Sequence, residues 1–341
     1  MRKNYAGIDY FRAAAAFMVI GIHIGPFSVW SEDLDYLLTY CTGRIAVPFF
    51  LMTTGYFVLA PYVRSGFQKK QSVYRYLTKN AFLYLTATLF YVPLVLYSGN
   101  LPHNIPVFLK DVLFDGTFYH LWYFPAAIIG CILLMLLVRK SLWTAVIFSV
   151  AAYSIGLLGD SYYGLAEKVP LLRWVYSEIF TISSYTRNGI FFAPIFILLG
   201  MILAFPDVRC PVSKCRMGMI VSFAGMLVEG FITYSLNLQK HNSMYLLLLP
   251  VMYFLFQLLL IIPGKAPEWI RNGSMLLYII HPAVIIVLRG IAKITGLTKL
   301  LIENTVVEYL AVCALSFVFM LIIQFCLERG KRYVSKRTSL D

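Results

Sequence analysis

The sequence predicts an all-α fold, a polytopic membrane bundle of about ten transmembrane helices, and three observations carry that expectation. Of 341 residues, 60% are hydrophobic and only 13% are charged, whereas a water-soluble domain carries about 25% charged residues. Apolar runs of about twenty residues, long enough to cross a bilayer as a helix, recur from end to end. These runs are continuous rather than alternating with a period of two, which argues against a membrane β-barrel.

Taken in order, the runs place spans near residues 8–27, 36–60, 77–97, 121–138, 141–158, 188–205, 216–236, 243–262, 273–293 and 304–327. The first is read as a retained transmembrane helix. Arg12 interrupts it, and no small-residue cleavage site follows, as a secretory signal would require. Charge placement sets the orientation. With the N-terminus inside, Arg64, Lys69, Lys70, Arg75 and Lys79, then Arg139 and Lys140, then Arg209, Lys214 and Arg216, all fall on one side. Arg2, Lys3, Lys265, Arg271 and the basic residues after 328 fall on that side too. The other side holds far fewer bases, Arg173, Arg187 and Lys240 among them, and the first outer loop carries Glu32, Asp33 and Asp35. This positive-inside bias puts both termini in the cytoplasm and the chain in the plasma membrane. Residues 1–330 are then the membrane domain and 331–341 a basic cytoplasmic tail.

The net charge of +13 is spread over loops rather than gathered on one face, so it reads as topology and not as nucleic-acid binding. Two connections are long, at 98–120 and 159–187. They are expected to be ordered caps over the outer mouth. Residues 61–76 are expected to form an amphipathic cytoplasmic surface helix, either anchored to anionic membrane lipid or in contact with an acidic cofactor such as coenzyme A. The six cysteines show no CxxC, and Cys210 and Cys215 share a short loop with no disulfide expected. No internal repeat of the kind found in secondary transporters is visible.

Ionisable residues at membrane depth are costly and mark working sites. On the first span Arg12 and His23 are eleven positions apart, about 20° around a helix and about 16 Å along it; Asp9 lies within about 60° of Arg12. Asp9 and Arg12 are also placed to pair one turn apart. On the second span lie Arg44 and, after Pro48, Thr54. His120 stands in His-Leu-Trp-Tyr-Phe-Pro, Glu229 in the seventh span, and His281 before Pro282 in the ninth. For His120, a hydrogen-bonded interfacial histidine and a ligand-binding one both fit. For His281, a bond to a carbonyl freed by the proline kink is the alternative to a ligand role. Glu229 is expected to pair with a basic group. No histidine spacing matches a metal site, so no metal is expected; P-loop, GxGxxG and GxSxG patterns are absent.

Arg12, ten residues and His23 resemble the first-helix motif of acyltransferase family 3, integral-membrane O-acyltransferases. Three further phrases in order extend the resemblance: Val-Pro-Phe-Phe-Leu-Met-Thr-Thr-Gly-Tyr-Phe (47–57), His-Leu-Trp-Tyr-Phe-Pro (120–125) and Tyr-Ile-Ile-His-Pro (278–282). Where the family has Ser before Gly, this chain has Thr54. Three other phrases look like the membrane half of the membrane-bound serine racemases of vancomycin resistance. These are Gly-Asp-Ser-Tyr-Tyr-Gly-Leu (159–165), Thr-Arg-Asn-Gly-Ile-Phe-Phe (186–192) and Lys-His-Asn-Ser-Met-Tyr-Leu (240–246). A racemase domain would need a few hundred further residues and a Schiff-base lysine in a soluble barrel, so racemisation is not expected of this stretch.

The resemblance implies transfer of an acyl group, acetyl above all, from a cytoplasmic coenzyme A thioester such as acetyl-CoA to a hydroxyl of a cell-envelope or small-molecule acceptor. His23 suits the base that takes the hydroxyl proton, Arg12 a grip on the donor, and Arg44 charge stabilisation near His23. Asp9, Thr54, His120, Arg187 and His281 are the expected donor- or acceptor-binding residues. The closer branch implies a rival, uptake of L-serine in company with a serine racemase and without acyl transfer. A non-catalytic anchor or sensor is the third possibility.

Overall fold

The structure, a computed structural model, describes residues 5–99 and 101–337. Arg2, Lys3 and the last four residues of the expected basic tail lie outside the described residues. The described chain is helical, with no named strand and one isolated bridge between Tyr5 and Pro263. Among the described residues, seven helices are long and apolar enough to cross a membrane: Ala6–Ile24, Glu32–Arg64, Lys70–Ser98, Tyr123–Lys140, Val212–Ser235, Gly273–Thr295 and Thr305–Gly330. Three shorter apolar helices, Leu142–Leu158, Ala193–Leu203 and Leu248–Leu260, occupy the remaining predicted positions.

The chain divides into two compact units, residues 1–43 with 259–341, and residues 44–258. In the first unit, Ala6–Ile24 packs with Glu268–Thr295 and the final helix. Ile20, Ile24, Val284, Ile285, Leu288 and Val312 form one buried cluster, and Ala16, Leu277, Ile280 and Met320 another. The first helix stops at Gly25, whose φ of 69° is open to a residue without a Cβ and whose N–H donates back to the Gly21 carbonyl. Asp35, expected among solvent-facing acids, is instead buried: Oδ1 accepts from the Phe27 N–H at 2.9 Å and from Thr39 Oγ1 at 2.7 Å. It holds this turn in place.

The passage between units follows a break in the second membrane helix. Its turns loosen at Arg44 and Ile45. Pro48 explains the position, because its missing N–H is the one that would have bonded the Arg44 carbonyl, and its ring crowds that same carbonyl. The ladder resumes with Phe49 donating to Ile45. Further along, Gly55–Leu59 is wound as a π-helix. This stretch packs against Ala193–Leu203 so closely that a Cβ on Gly55 would collide with the Ile197 carbonyl, and one on Gly200 with that of Met52.

Residues 61–76 do not form a surface helix of their own. The second membrane helix runs to Arg64, a turn follows with Gly66 and Phe67 at φ 60° and 66°, and the next membrane helix already begins at Lys70. Arg64 and Arg209 cap the end of Ala193–Leu203, donating to the Ala204 and Leu203 carbonyls, where the helix dipole favours positive charge. The two long connections are ordered, with helices at Ile105–Lys110 and Pro170–Ile182. They bind one another: Asp115 accepts from the Ser184 N–H at 2.9 Å, and Lys110 donates to the Phe180 carbonyl at 3.3 Å.

Candidate functional site

In the first unit, one helix delivers the predicted stripe. Arg12 Nη1 pairs with Asp9 Oδ1 at 3.0 Å, one turn apart as the spacing requires. His23 lies near the other end of the same helix, half-buried, its ring stacked on that of His281 at 5.2 Å between centroids and 24° between planes. His281 is fully buried. Its Nδ1 lies 3.1 Å from the Leu277 carbonyl, which can only accept, so Nδ1 carries the proton and Nε2 is the basic nitrogen of the neutral ring. His281 also has a backbone hydrogen bond at Tyr278, whose carbonyl is the one Pro282 frees. Sequence spacing gave no hint that the two imidazoles meet, because the residues lie on helices more than two hundred positions apart.

Thr54 donates to the Phe50 carbonyl at 3.3 Å and shares a 2.9 Å hydrogen bond with the Tyr76 hydroxyl. His120 is buried with its ring edge-on to Tyr91 and Phe118, at 5.1 and 5.7 Å between centroids. Glu229 pairs with no base among the described ion pairs. Its carboxylate accepts from the Leu246 and Leu247 N–H groups at 2.5 and 2.8 Å and from Tyr162 Oη at 2.8 Å. These N–H groups precede Leu248–Leu260, so the carboxylate caps that helix, a partner a sequence cannot display.

In the second unit a polar cluster forms that the sequence only half announces. Asp160 follows Leu142–Leu158 and is fully buried. Oδ1 accepts from the Ser243 N–H (2.7 Å), the Met244 N–H (2.9 Å) and Ser161 Oγ (3.0 Å). Oδ2 faces His241 Nδ1 at 3.7 Å. Burial pushes the Asp160 carboxyl up to about 7, against the N–H donors and the Arg44 charge that pull it down. His241 is held well below its ordinary value by burial and by the charges of Arg187 and Arg44. Ser243 Oγ meets His241 Nδ1 at 2.7 Å. Hydroxyl and carboxylate therefore sit at the same ring nitrogen, which rules out a Ser-His-Asp relay, where they occupy opposite nitrogens.

Two guanidinium groups complete the cluster. Arg44 Nη2 donates to Asn242 Oδ1. The Arg187 guanidinium lies over the Trp122 ring at 4.9 Å and over the Tyr185 ring at 4.6 Å, and the Tyr185 ring is edge-on to His241 at 4.8 Å. The loop bearing Arg187 is tied down by Thr186 Oγ1 donating to the Gly156 carbonyl at 2.8 Å, and by Asn188 Oδ1 accepting the Ile190 and Phe191 N–H groups. Asp160, His241 and Asn242 were missed as site residues. A signal existed: the phrases at 159–165, 186–192 and 240–246 each contribute a member to this cluster. Among the described residues, no three His, Cys, Asp or Glu residues gather as metal ligands.

The motif order and the helical architecture have a counterpart in known proteins. Residues 5–325 match the family described as an acyltransferase domain. The chain belongs to acyltransferase family 3. It is also 38% identical, over 99% of its length, to an amino-acid racemase of Enterococcus faecalis, and 40% identical over 93% to a second racemase of that organism. A serine/alanine racemase of Enterococcus gallinarum is 36% identical over 92%. The matches cover 48%, 46% and 45% of those proteins, so the chain spans about half the length of the curated relatives it matches. No solved structure matches it. This family-3 member is thus a multi-pass integral membrane protein that shares its membrane part with proteins named as racemases.

Proposed function

We propose that the protein is a plasma-membrane acyltransferase moving an acyl group, acetyl in the first instance, from cytoplasmic acyl-coenzyme A to a hydroxyl of an extracytoplasmic acceptor. The observation that carries this reading is the stacked imidazole pair of His23, on the first helix, and His281, on Glu268–Thr295. A thioester already presents an activated carbonyl, so the chain must supply a base for the attacking hydroxyl and positive charge for the oxyanion. His23 is the base. His281, its protonated Nδ1 turned to a backbone carbonyl, holds the plane against which His23 lies. Arg12, steadied by Asp9, grips the donor. Thr54 and Tyr76 form a hydroxyl pair on the donor route, and His120, Arg44 and Arg187 serve the acceptor. The reading includes ten crossings with cytoplasmic termini, the three shorter apolar helices crossing with their flanking turns.

Membranes holding equal amounts of wild type, His23→Ala and Arg12→Ala, supplied with labelled acetyl-coenzyme A, test it. Label should reach an envelope component with the wild type and not with His23→Ala. Full transfer by His23→Ala rejects the mechanism. The racemase-named relatives favour a second reading, L-serine uptake alongside a racemase. Saturable uptake of labelled L-serine into vesicles without any acyl donor would select it.

A further inference from the structure

The loop joining Ala193–Leu203 to Val212–Ser235 is held from several sides. Arg209 donates through Nε to the Leu203 carbonyl at 3.0 Å and through Nη2 to the Tyr56 hydroxyl at 3.1 Å. The Cys210 N–H donates to Gln257 Oε1 at 2.8 Å, and the Val208 carbonyl accepts from Tyr253 Oη at 2.7 Å. Pro211 caps the start of Val212–Ser235, so Cys210 is the residue before the cap and Cys215 the fourth of the helix. Those two positions meet at a helix start, where an apolar pair ordinarily staples the entering chain. Here the staple is made of two thiols, and their side chains lie within hydrogen-bonding reach of one another.

The hydrogens of this contact can be assigned. A tyrosine hydroxyl carries one hydrogen, and that of Tyr253 goes to the Val208 carbonyl, which can only accept. In the 3.3 Å contact between Cys210 Sγ and Tyr253 Oη the thiol is therefore the donor. Cys215 Sγ donates to the Cys210 carbonyl at 3.6 Å. Loss of both thiol hydrogens would strand two acceptors and no donor, the better tolerated case. The bonds that fix the backbone, from the Cys210 N–H to Gln257 and from the Cys215 N–H to the Pro211 carbonyl, involve no sulfur and would survive. The two sulfurs also differ in access: Cys210 is partly exposed, whereas Cys215 is only 2% exposed. A reagent arriving from water meets Cys210 first, with a second thiol sheltered beside it, as in thiol pairs that sense oxidants.

We infer that Cys210 and Cys215 are a reversible oxidation site, at which a hydroperoxide oxidises Cys210 and Cys215 then closes a disulfide across the helix start. In the first step the Cys210 thiol gives its proton to water and its sulfur attacks a peroxide oxygen. The O–O bond breaks, leaving a sulfenic acid and the alcohol or water. In the second step the Cys215 thiolate attacks the Cys210 sulfur, the S–S bond forms, and the sulfenic oxygen leaves as water. Two thiols are thereby oxidised to one disulfide and one peroxide is reduced; a small thiol reverses the bond by exchange. In the proposed orientation this loop faces a reducing cytoplasm, so the dithiol is the resting form. The bond fastens the first turn of Val212–Ser235 to the loop whose Arg209 holds the end of Ala193–Leu203 and the Tyr56 hydroxyl. None of this depends on the acyl-transfer reading.

Lys214 lies between the two cysteines, and Arg209 and Arg216 flank them, which gives a direct test. The purified full-length chain in detergent is treated with hydrogen peroxide, its remaining thiols are alkylated in denaturant, and it is digested with trypsin without reductant. Peptides 210–214 and 215–216 should emerge joined, come apart with dithiothreitol, and carry one alkyl group each in untreated protein. Cys210→Ser should abolish the joined species and leave Cys215 open to alkylation. Cys215→Ser should abolish it too, with Cys210 going on to the sulfinic acid that dithiothreitol does not reverse. The wild-type digest needs no variant to fold. The inference is overturned by the absence of the joined peptides at a peroxide dose that oxidises the exposed Cys326. Joining of either cysteine to Cys326, or joining only after the protein is unfolded, overturns it as well.

Discussion

A carboxylate, a guanidinium and an imidazole occur twice in this molecule, and the two instances are built in opposite ways. In the first unit all three lie on one helix: Asp9 and Arg12 are a partly exposed pair one turn apart, and His23 sits about three turns beyond Arg12. In the second unit, Arg44, Asp160 and His241 come from separate helices and loops and close on one another, with Asp160 sealed from solvent. The first arrangement costs little to form, since a helix places its own residues. The second requires several tertiary contacts to be correct at once, and any charge it buries must be compensated on the spot. The helix stripe should therefore be sensitive in function and tolerant in stability, and the loop cluster sensitive in both.

The largest effect expected from this contrast is on activity alone. His23→Ala should lower acetyl transfer by about 10²-fold or more, the usual worth of a positioned general base, while the melting temperature of the purified protein stays near wild type. A matching loss of melting temperature would remove the distinction between the two regions. Next comes Asp160→Ala, which strips the acceptor from two backbone N–H groups and a hydroxyl. Each buried donor left unsatisfied costs about 1–3 kcal/mol, so a fall of several degrees in thermal unfolding is expected. Asp160→Asn, which keeps an acceptor oxygen, should recover most of it.

A smaller effect concerns pH. The folded Asp160 carboxyl, raised to about 7, holds its proton more tightly than the unfolded chain does. Its contribution to stability is thus greatest at low pH and declines as pH rises from the ordinary carboxylate range through about 7. His241, lowered in the fold, works in the other direction: its folded state resists protonation, so stability falls as pH drops below about 6.5. Melting curves from pH 5 to 8 should contain a component that declines as pH rises to about 7, removed by Asp160→Asn, and one that declines at the acid end, removed by His241→Gln. The smallest effect belongs to Asp9→Ala. A partly exposed pair one helical turn apart contributes about 0.5 kcal/mol, close to the resolution of a thermal melt. A drop comparable to that of Asp160→Ala would erase the comparison.

The same contrast explains what could be read in advance. Helix positions were legible because bilayer thickness imposes a length on apolar runs, and the stripe of Asp9, Arg12 and His23 was legible because 3.6-residue periodicity is a property of one segment. Pro48 announced the looseness at Arg44 by the same local logic. Long-range partners carry no such period. Nothing near Glu229 says that its carboxylate will cap a helix beginning at Leu248, and nothing near His23 names His281. The surface helix expected over 61–76 failed because the stretch is split by the turn at Gly66 and Phe67: Arg64 ends one membrane helix, while Lys70 and Arg75 belong to the first turns of the next, Lys70–Ser98. Arg187 stood out only as a charge in a long connection, and its aromatic flanks Trp122 and Tyr185 came from different stretches of chain.

The clasp of Gly55 against Ile197 and of Gly200 against Met52 bears on how the protein is made. Backbone meets backbone there with no side chain to give way, so the contact cannot be formed loosely and tightened later. Its two halves leave the ribosome well over a hundred residues apart, with several membrane helices synthesised between them. The second helix must therefore wait in the bilayer, its broken and π-wound turns unsupported, until Ala193–Leu203 arrives. Any membrane insertase or chaperone that shields residues 44–59 during that interval would set the yield of functional protein.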